Sequence, residues 1–330
     1  MGEMLRPKIV ILDSFAVDQG EPETTWRELR DLGELMVHAQ TDGEEIAVRC
    51  RDEVAAVITN KVRIGAAHLD ALPALRYIGV SATGTDVVDL VAARAAGIAV
   101  TNVPGYATES VAELVFALIL NFSHDVAGHN AAVKAGLWAA SSDFCFFRRP
   151  LTELAGKTLV VVGAGAIGGA VARIGEAFGM RVVRAAVPGA PVRAEAPRVP
   201  LFEALPLADV VSLHCPLTEA TRGLADAAFL RAMKPGATFI NTGRGGLVDE
   251  EALVGALASG HLGGVGIDVL SAEPPPPNHP LADPRAPWAA RVVITPHIGW
   301  GTVEARRRLV SEVARNLQAF LKGEARNRVV

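Results

Sequence analysis

Residues 158–168 read Thr-Leu-Val-Val-Val-Gly-Ala-Gly-Ala-Ile-Gly, and this stretch decides the fold of the chain. Its first five residues are mostly β-branched and predict a short buried strand. Gly163, Gly165 and Gly168 follow with the spacing G-x-G-x-x-G, and a helix rich in Ala, Ile and Val begins directly after them. A strand, a tight glycine turn and a helix in this order predict a turn that binds the pyrophosphate of a dinucleotide.

Each of the three glycines has its own expected role in such a turn. Gly163 permits the sharp change of direction, Gly165 lets the backbone approach a phosphate, and Gly168 lets the helix lie close to the strand. The N–H groups at the start of the helix would then point at the anion. The alternative is a purely structural turn, since glycine-rich turns are common. The position of this turn between a strand and a helix favours cofactor binding.

Composition favours an α/β enzyme with two domains. The chain has 330 residues, which is more than one typical domain contains. Half of the residues are hydrophobic. Lys and Arg number 32 and Asp and Glu number 36, so the formal net charge is −4. Because no basic block is present, we expect no nucleic acid partner.

The cysteines and the N-terminus indicate a cytoplasmic protein. Cys50, Cys145 and Cys215 are far apart and form no C-x-x-C pair, which predicts free thiols in a reducing compartment and no metal site. The first seven residues lack the apolar core of a signal peptide. The most apolar helical run, residues 111–120, is too short to span a bilayer, so we expect no membrane partner.

The N-terminal third alternates strands with helices and predicts a parallel sheet covered on both faces. Residues 76–80 are expected to form a strand that ends in the loop Ser81-Ala82-Thr83-Gly84, followed by a helix over about 86–96. Residues 102–105, Asn-Val-Pro-Gly, are a cluster of turn-forming residues, and the chain is expected to enter a second domain there.

The region 108–150 is expected to form an interface. A helix over about 108–122 is apolar nearly all round, so it must be buried by the domain core, by a partner subunit or by both. The irregular segment 137–150 contains four large aromatic side chains, Trp138, Phe144, Phe146 and Phe147. So much aromatic surface on a loop favours a contact with another subunit, although packing over the chain's own core is the alternative.

Three polar residues with catalytic potential follow predicted strands: Arg244, Glu273 and His297. In an open α/β sheet, ligands bind beyond the carboxyl ends of the strands. Taken singly, Arg244 could cap a helix, Glu273 could be a solvated acid and His297 could be a half-buried structural histidine. The presence of all three at one edge, together with a dinucleotide turn, predicts a catalytic group.

With these residues in place, the chain resembles the D-isomer-specific 2-hydroxyacid dehydrogenase family over essentially its whole length. The resemblance rests on five motifs: Gly163-Ala164-Gly165-Ala166-Ile167-Gly168, Leu213-His214-Cys215-Pro216-Leu217-Thr218, Asn241-Thr242-Gly243-Arg244-Gly245, Asp268-Val269 with Glu273-Pro274, and Thr295-Pro296-His297-Ile298-Gly299. It implies an α/β fold of two doubly wound parallel-sheet domains. A Rossmann-type cofactor domain, residues 103–298, is then inserted in a flavodoxin-like substrate domain, residues 1–102 and 299–330.

The resemblance also implies the residues of the site. The catalytic trio is Arg244, Glu273 and His297, and Asp268 falls on a position that the family uses near the nicotinamide. Cofactor contacts are expected from Thr108, Gly163, Gly165, Ile167, Gly168, His214, Pro216, Thr221, Thr242, Gly243, Asp268 and Gly299. Substrate contacts are expected from Ala82, Thr83, Gly84, Arg244 and His297.

The chemistry of 2-oxo acid reduction explains these residue types. Hydride moves from the nicotinamide to the carbonyl carbon, and His297 can protonate the developing alkoxide. Glu273, bonded to the other ring nitrogen, would favour the charged imidazolium, and Arg244 would hold the substrate carboxylate with its fork of donors. We expect this chemistry to take place between the domains, with closure excluding water.

A finer resemblance is to the glycerate dehydrogenases, or hydroxypyruvate and glyoxylate reductases. It rests on Ala82-Thr83-Gly84, on residues 102–113 and on His297-Ile298-Gly299-Trp300. Relatives that oxidise formate or phosphite share the fold, but a formate enzyme is expected to differ at the Glu273 position. A phosphoglycerate enzyme fits less well, since the 81–84 loop carries no cationic residue for a phosphate. The rival from another class is a cofactor-sensing, corepressor-like binding protein of the same fold. The family also implies a homodimer formed through the 108–150 region.

Cofactor choice between NAD and NADP stays open. An NAD-dependent member usually ends the second strand of the nucleotide unit with an acid that binds the adenine ribose. That position is near Ala186, where no acid is present, and the next acid is Glu195. A 2′-phosphate could pair with Arg184, Arg193 or Arg198, or these arginines could be solvated while NAD still binds.

Overall fold

The computed structural model describes residues 6–51, 53–189 and 198–330, and the chain divides into two compact units. The first unit extends to Ala107 and resumes at Trp300, and the second comprises Thr108–Gly299. The boundaries expected from the sequence, after residues 102 and 298, lie five residues and one residue away from these. Arg193 and Glu195 lie outside the described residues.

A five-stranded parallel sheet forms the centre of the first unit. The strand order is β2-β1-β3-β4-β5, the doubly wound order of flavodoxin-like folds. The strands are β1 (Lys8–Ile11), β2 (Glu34–Val37), β3 (Val54–Thr59), β4 (Tyr77–Val80) and β5 (Ala99–Thr101). The helices between them are α1 (Phe15–Asp18), α2 (Pro22–Thr25), α3 (Arg27–Leu32), α4 (Ile46–Arg49), α5 (Ala66–Asp70) and α6 (Leu90–Ala95).

The start of α6 differs from the expectation of a helix from about residue 86. Asp89 is the N-cap, and its carboxylate accepts a hydrogen bond from Ala92 N at 2.9 Å. Val88 is held in extended conformation because it forms a parallel β-bridge with Ile64. This pairing, which connects segments distant in sequence, prevents the helix from beginning earlier.

A six-stranded parallel sheet forms the centre of the second unit. Its order is β11-β10-β9-β8-β6-β7, with β6 (Thr158–Val162), β7 (Arg181–Ala185), β8 (Val210–Leu213), β9 (Thr238–Asn241), β10 (Gly264–Ile267) and β11 (Val292–Ile294). Its helices are α7 (Thr108–His124), α8 (Val126–Lys134), α9 (Ala166–Ala177), α10 (Leu201–Ala204), α11 (Ala227–Ala232) and α12 (Glu250–Ala258). The prediction of two doubly wound parallel-sheet units is confirmed.

The strand order of the second unit places a topological switch point beside the glycine turn. From β6 the chain crosses to β7 on one side, and it then returns to β8 on the other side of β6. The loops after β6 and β8 therefore diverge at the carboxyl edge and leave a crevice between them, where ligands bind in open α/β sheets. Every residue of β6 is buried, as a central parallel strand requires.

The C-terminal helix α13 (Val303–Leu321) returns to the first unit. It packs on the sheet through the ring of Phe320, whose centroid lies 4.9 Å from that of Tyr77 in β4. Among the described residues, no single helix is long and apolar enough to cross a membrane, and only the bent pair α7 and α8 together meets that length and composition. Eight residues of α7 are buried within the fold.

Candidate active site

Two of the three glycines in the turn after β6 are required by close backbone approach. Gly163 has a φ of 106°, and a Cβ there would lie 2.6 Å from the backbone N of Cys215. A Cβ on Gly168 would lie 1.9 Å from the carbonyl oxygen of Gly163. The turn can therefore close onto the loop after β8, and α9 onto the turn, only with glycine at these positions.

The third glycine faces open space, which fits a dinucleotide. A Cβ on Gly165 would meet no protein atom within 4 Å, so nothing in the protein requires glycine there. Gly165 is the N-cap of α9 and supplies no side-chain acceptor, so the first N–H groups of this helix are available to an anion. At the end of β9, the buried hydroxyl of Thr242 has no hydrogen-bond partner among the described residues. Both features fit a bound cofactor.

The loop after β8 is held by its own side chains. Thr221 is buried, donates from Oγ1 to the carbonyl of Pro216 at 2.7 Å and accepts from Thr218 N at 2.8 Å. His214 lies beside the glycine turn, with Nε2 2.8 Å from Ser212 Oγ. Thr221 and His214, both predicted as cofactor-binding, thus have structural partners, Thr221 within this loop and His214 in β8.

The surrounding protein desolvates the half-buried ring of His214 and makes this residue a source of acid sensitivity. Desolvation lowers the pKa of His214 from its ordinary 6.5 to about 4, so the unfolded chain binds a proton at pH 5 more readily than the folded chain. Stability is therefore lost as the pH falls from 6.5 towards 4, by about 2 kcal/mol at pH 5 relative to pH 8. In urea denaturation at the two pH values, His214→Gln is expected to lack this loss. An unchanged pH dependence in the variant would contradict the assignment.

The turn after β9 presents Arg244. Asn241, which the sequence analysis left without a role, holds this turn: its Nδ2 donates to Arg244 O at 2.9 Å and its Oδ1 accepts from Gly243 N at 3.0 Å. A Cβ on Gly245 would lie 2.0 Å from the backbone of Leu270, so the loops after β9 and β10 are in contact. Arg244 is half-buried, and its Nη1 donates to Gly243 O at 2.9 Å.

Glu273 and His297 form a direct pair. Nδ1 of His297 lies 2.6 Å from Oε2 of Glu273, with the side chains 26% and 33% exposed. The other carboxylate oxygen of Glu273 accepts from Leu270 N at 3.0 Å. Since a carboxylate only accepts, Nδ1 carries a proton and Nε2 is left to face a ligand. This is the arrangement of an imidazole that exchanges a proton at Nε2.

Asp268 organises the loop that carries His297. Its Oδ1 accepts from Thr295 Oγ1 at 2.6 Å and from Ile298 N at 2.9 Å, and its Oδ2 accepts from Gly299 N at 2.8 Å. The carbonyl of Asp268 accepts from His297 N at 2.8 Å. His297 has a φ of 54°, a left-handed conformation that this network stabilises. Asp268, predicted as cofactor-binding, thus has both carboxylate oxygens engaged within the protein.

The remaining predicted residues lie in three places. Thr108 begins α7, two residues before Ser110, whose hydroxyl donates to the carbonyl of Gly299. Ile167 is half-buried in the first turn of α9. The loop with Ala82, Thr83 and Gly84 follows β4 in the first unit, where Thr83 Oγ1 donates to Val103 O at 2.9 Å and Thr83 O accepts from Asn102 Nδ2 at 2.7 Å.

The second unit therefore combines a dinucleotide turn at a switch point with a carboxylate–imidazole pair on the same edge of the sheet. A parallel sheet with these features is typical of the dinucleotide-dependent oxidoreductases.

Comparison with known proteins narrows this class. The family model described as D-isomer specific 2-hydroxyacid dehydrogenase, NAD binding domain, matches residues 116–299. Hydroxypyruvate reductase of Blautia hydrogenotrophica is 39% identical over 97% of this chain and 98% of the relative. Glycerate dehydrogenase of Methylorubrum extorquens is also 39% identical, over the same shares.

A solved structure agrees with these relatives. The NADPH-dependent glyoxylate/hydroxypyruvate reductase of Sinorhizobium meliloti, in complex with NADP and malonate, is 30% identical, with a TM-score of 0.81 over 98% of this chain and 97% of that one. The chain belongs to the D-isomer-specific 2-hydroxyacid dehydrogenase family, as its motifs predicted.

Proposed function

We propose that this protein is an NAD(P)-dependent D-2-hydroxyacid dehydrogenase that reduces a small 2-oxo acid, hydroxypyruvate or glyoxylate first, to the D-2-hydroxy acid. The observation that carries the proposal is the 2.6 Å contact between His297 and Glu273, on the sheet edge that also holds the glycine turn. Relatives named for hydroxypyruvate, glyoxylate and glycerate support this substrate class. They give no support to the corepressor-like alternative.

Three side chains have separate roles in the proposed reduction. The reduced nicotinamide cofactor supplies the hydride when it is bound. Arg244 holds the substrate carboxylate and polarises the carbonyl with its planar donors. His297 donates its Nε2 proton to the carbonyl oxygen as the carbon accepts the hydride, and Glu273 stabilises the charged imidazolium before that transfer. Each turnover consumes one hydride and one proton, and His297 regains its proton from solvent.

A substrate panel tests the function. Oxidation of NADH and NADPH is followed with hydroxypyruvate, glyoxylate and pyruvate, each with purified wild-type protein. Turnover with hydroxypyruvate or glyoxylate above that with pyruvate is the expected result. Cofactor binding without turnover for any of the three acids would contradict the proposal and would favour the sensor alternative.

The two units have different proposed roles. The second unit, Thr108–Gly299, is proposed to bind the dinucleotide, since it contains the glycine turn and the switch point. The first unit is proposed to supply substrate contacts through Ala82, Thr83 and Gly84. Hydrogen bonds from Thr83 and Asn102 hold this loop in a defined conformation and so support that role.

Cofactor choice is proposed to depend on Arg198. Val199 N donates to Arg184 O at 3.0 Å, and Ala186 N donates to Val199 O at 2.8 Å. Arg198 therefore lies beside the carboxyl end of β7, where the chain lacks the acidic residue that would bind the adenine ribose. Arg184 is a weaker choice because its Nη2 lies 3.4 Å from Glu176 Oε1 on α9. Arg198 therefore offers a positive charge where a 2′-phosphate would lie.

Steady-state kinetics with both cofactors checks this assignment. We expect NADPH to bind at least as tightly as NADH, and Arg198→Ala to raise the KM for NADPH by about tenfold while changing that for NADH by less than about twofold. Arg184→Ala is the matched control and is expected to change neither value. At least tenfold tighter binding of NADH by the wild type would exclude the preference for NADPH.

A homodimer through the 108–150 region completes the proposal. Trp138, Phe144 and Phe147 are 53%, 84% and 68% exposed, yet their segment is tied down where Arg148 Nη1 lies 2.9 Å from Asp125 Oδ2. Ordered, exposed aromatic side chains support a contact with a second copy. Light scattering at micromolar concentration is expected to give twice the chain mass, and a monomer would contradict the prediction.

A cytoplasmic location, supported by three cysteines without disulfides, is also proposed.

A further inference from the structure

A polar cluster outside the catalytic pair lies at the start of α12. Glu250 is its centre: Oε1 accepts from Ser271 N at 2.8 Å, and Oε2 accepts from Ser271 Oγ at 2.9 Å. Nε2 of His279 lies 3.1 Å from the same Oε2, and the side chains of His279 and Glu250 are 9% and 20% exposed. Since a carboxylate only accepts, His279 donates from Nε2. Neither Glu250 nor His279 has a part in the chemistry above.

These contacts hold both ends of the loop that carries Glu273. Ser271 lies two residues before Glu273 and His279 lies six residues after it. Between them, Pro274–Pro277 provide no N–H donors, so this loop has little capacity to bond to itself. Glu250, on a neighbouring helix, accepts hydrogen bonds from Ser271 and His279 and so fixes both ends of a loop that can form few backbone hydrogen bonds of its own.

The same backbone holds Glu273 itself. Leu270 N donates to Glu273 Oε1 at 3.0 Å, and the next N–H along the chain, that of Ser271, donates to Glu250 Oε1. Gly245, the neighbour of Arg244, packs against the Leu270 carbonyl. A displacement of residues 270–271 would thus move Glu273, which accepts a hydrogen bond from His297. It would also move the backbone against which Gly245, next to Arg244, is packed.

We infer that Glu250 is a positioning residue: it keeps the 270–279 loop in the conformation that holds Glu273 against Nδ1 of His297. This inference rests on the proposed function, since it assigns Glu250 to the same site. Among the described residues, His279 is the titratable side chain bonded to Glu250. The side chain of Glu273 bonds directly to His297, and that of Asp268 bonds to Thr295, Ile298 and Gly299 around it. Glu250 therefore acts through the loop and not by contact with the reacting atoms.

A double-mutant cycle on the full-length protein tests this role. Glu250→Ala is expected to lower kcat about tenfold, with cofactor affinity unchanged and with the pH profile of kcat/KM displaced in the same direction as in Glu273→Gln. In the Glu273→Gln background, Glu250→Ala is expected to add less than about twofold, since both act through one pair. Glu251→Ala, which removes the same charge from the next, exposed position of α12, is the matched control and should leave all values unchanged.

Other outcomes would overturn the inference. Losses of kcat that multiply in the double variant would show that Glu250 acts independently of Glu273. A lower melting temperature with normal kcat and an unshifted pH profile would show a role in stability alone. If Glu250→Ala does not fold, Ser271→Ala removes only the hydroxyl contact and should lower kcat about threefold with the same shift of the pH profile. An unshifted profile in that variant would overturn the inference as well.

A measurement without turnover separates this inference from the proposed function. The NMR titration of the His297 ring is expected to change in Glu250→Ala and not in Glu251→Ala. If the wild type reduces no 2-oxo acid yet the titration changes, the positioning role stands and the proposed reaction fails. If the wild type is active and neither the titration nor kcat changes in Glu250→Ala, the reaction stands and the positioning role fails.

Discussion

Replacing His297 by Asn is expected to lower kcat for 2-oxo acid reduction by about 10³-fold, the usual contribution of a well-placed general acid. Nε2 of His297 is the proton donor of the proposed mechanism, since Nδ1 is occupied by Glu273 at 2.6 Å. Asn is the appropriate substitute because it tolerates the left-handed backbone, φ 54°, that His297 adopts. The loss should therefore report the missing acid and not a disturbed loop.

Binding and stability measurements provide the control for His297→Asn. Cofactor affinity, followed by the fluorescence of the bound nicotinamide, should stay within about threefold of the wild type, and the melting temperature should change little. A variant that keeps more than a tenth of the wild-type kcat would contradict the assignment of His297 as the proton donor.

Replacing Arg244 by Lys is expected to lower kcat/KM for the 2-oxo acid by about 10²-fold, or roughly 3 kcal/mol. Lysine preserves the positive charge but has no planar fork, so it cannot bind a carboxylate through two parallel hydrogen bonds. The turn around Arg244 does not depend on its guanidinium alone, since Asn241 Nδ2 bonds to Arg244 O at 2.9 Å and Gly245 packs on Leu270. The substitution should therefore leave the fold intact.

Steady-state kinetics over a range of 2-oxo acid concentrations checks this loss, with Arg231→Lys as the matched control. Arg231 is exposed on α11, and its replacement should leave kcat/KM unchanged. An unchanged kcat/KM in Arg244→Lys, or an equal loss in the control, would show that Arg244 does not bind the substrate carboxylate.

The fold class and the two-unit organisation could be predicted because their signals are local. Continuous β-branched runs such as 158–162 define buried parallel strands, and the spacing of Gly163, Gly165 and Gly168 defines the turn that follows. Alternation of strands and helices then leaves few topologies open. The roles of Arg244, Glu273 and His297 stay predictions, although the structure places Glu273 and His297 in contact.

Other features could not be predicted because they depend on contacts between distant segments. The β-bridge from Ile64 to Val88 delays the start of α6 to the residue after Asp89. Arg184 and Arg198 are equivalent candidates in the sequence. The backbone pairing that places Arg198 beside the end of β7 and the ion pair of Arg184 with Glu176 distinguish them.

The sequence by itself determined the order of strands and turns, the family and the three residues with catalytic potential, because each of these is expressed in a short run of neighbouring residues. Only the tertiary structure decided what holds those residues in place. Asp268 ties residues 295–299 around His297, and Glu250 ties Ser271 to His279 around Glu273. The physical reason is that the sheet brings loops distant in sequence to one edge, and this decides which groups each carboxylate can bond to. The bonded residues are 21 to 31 positions apart along the chain.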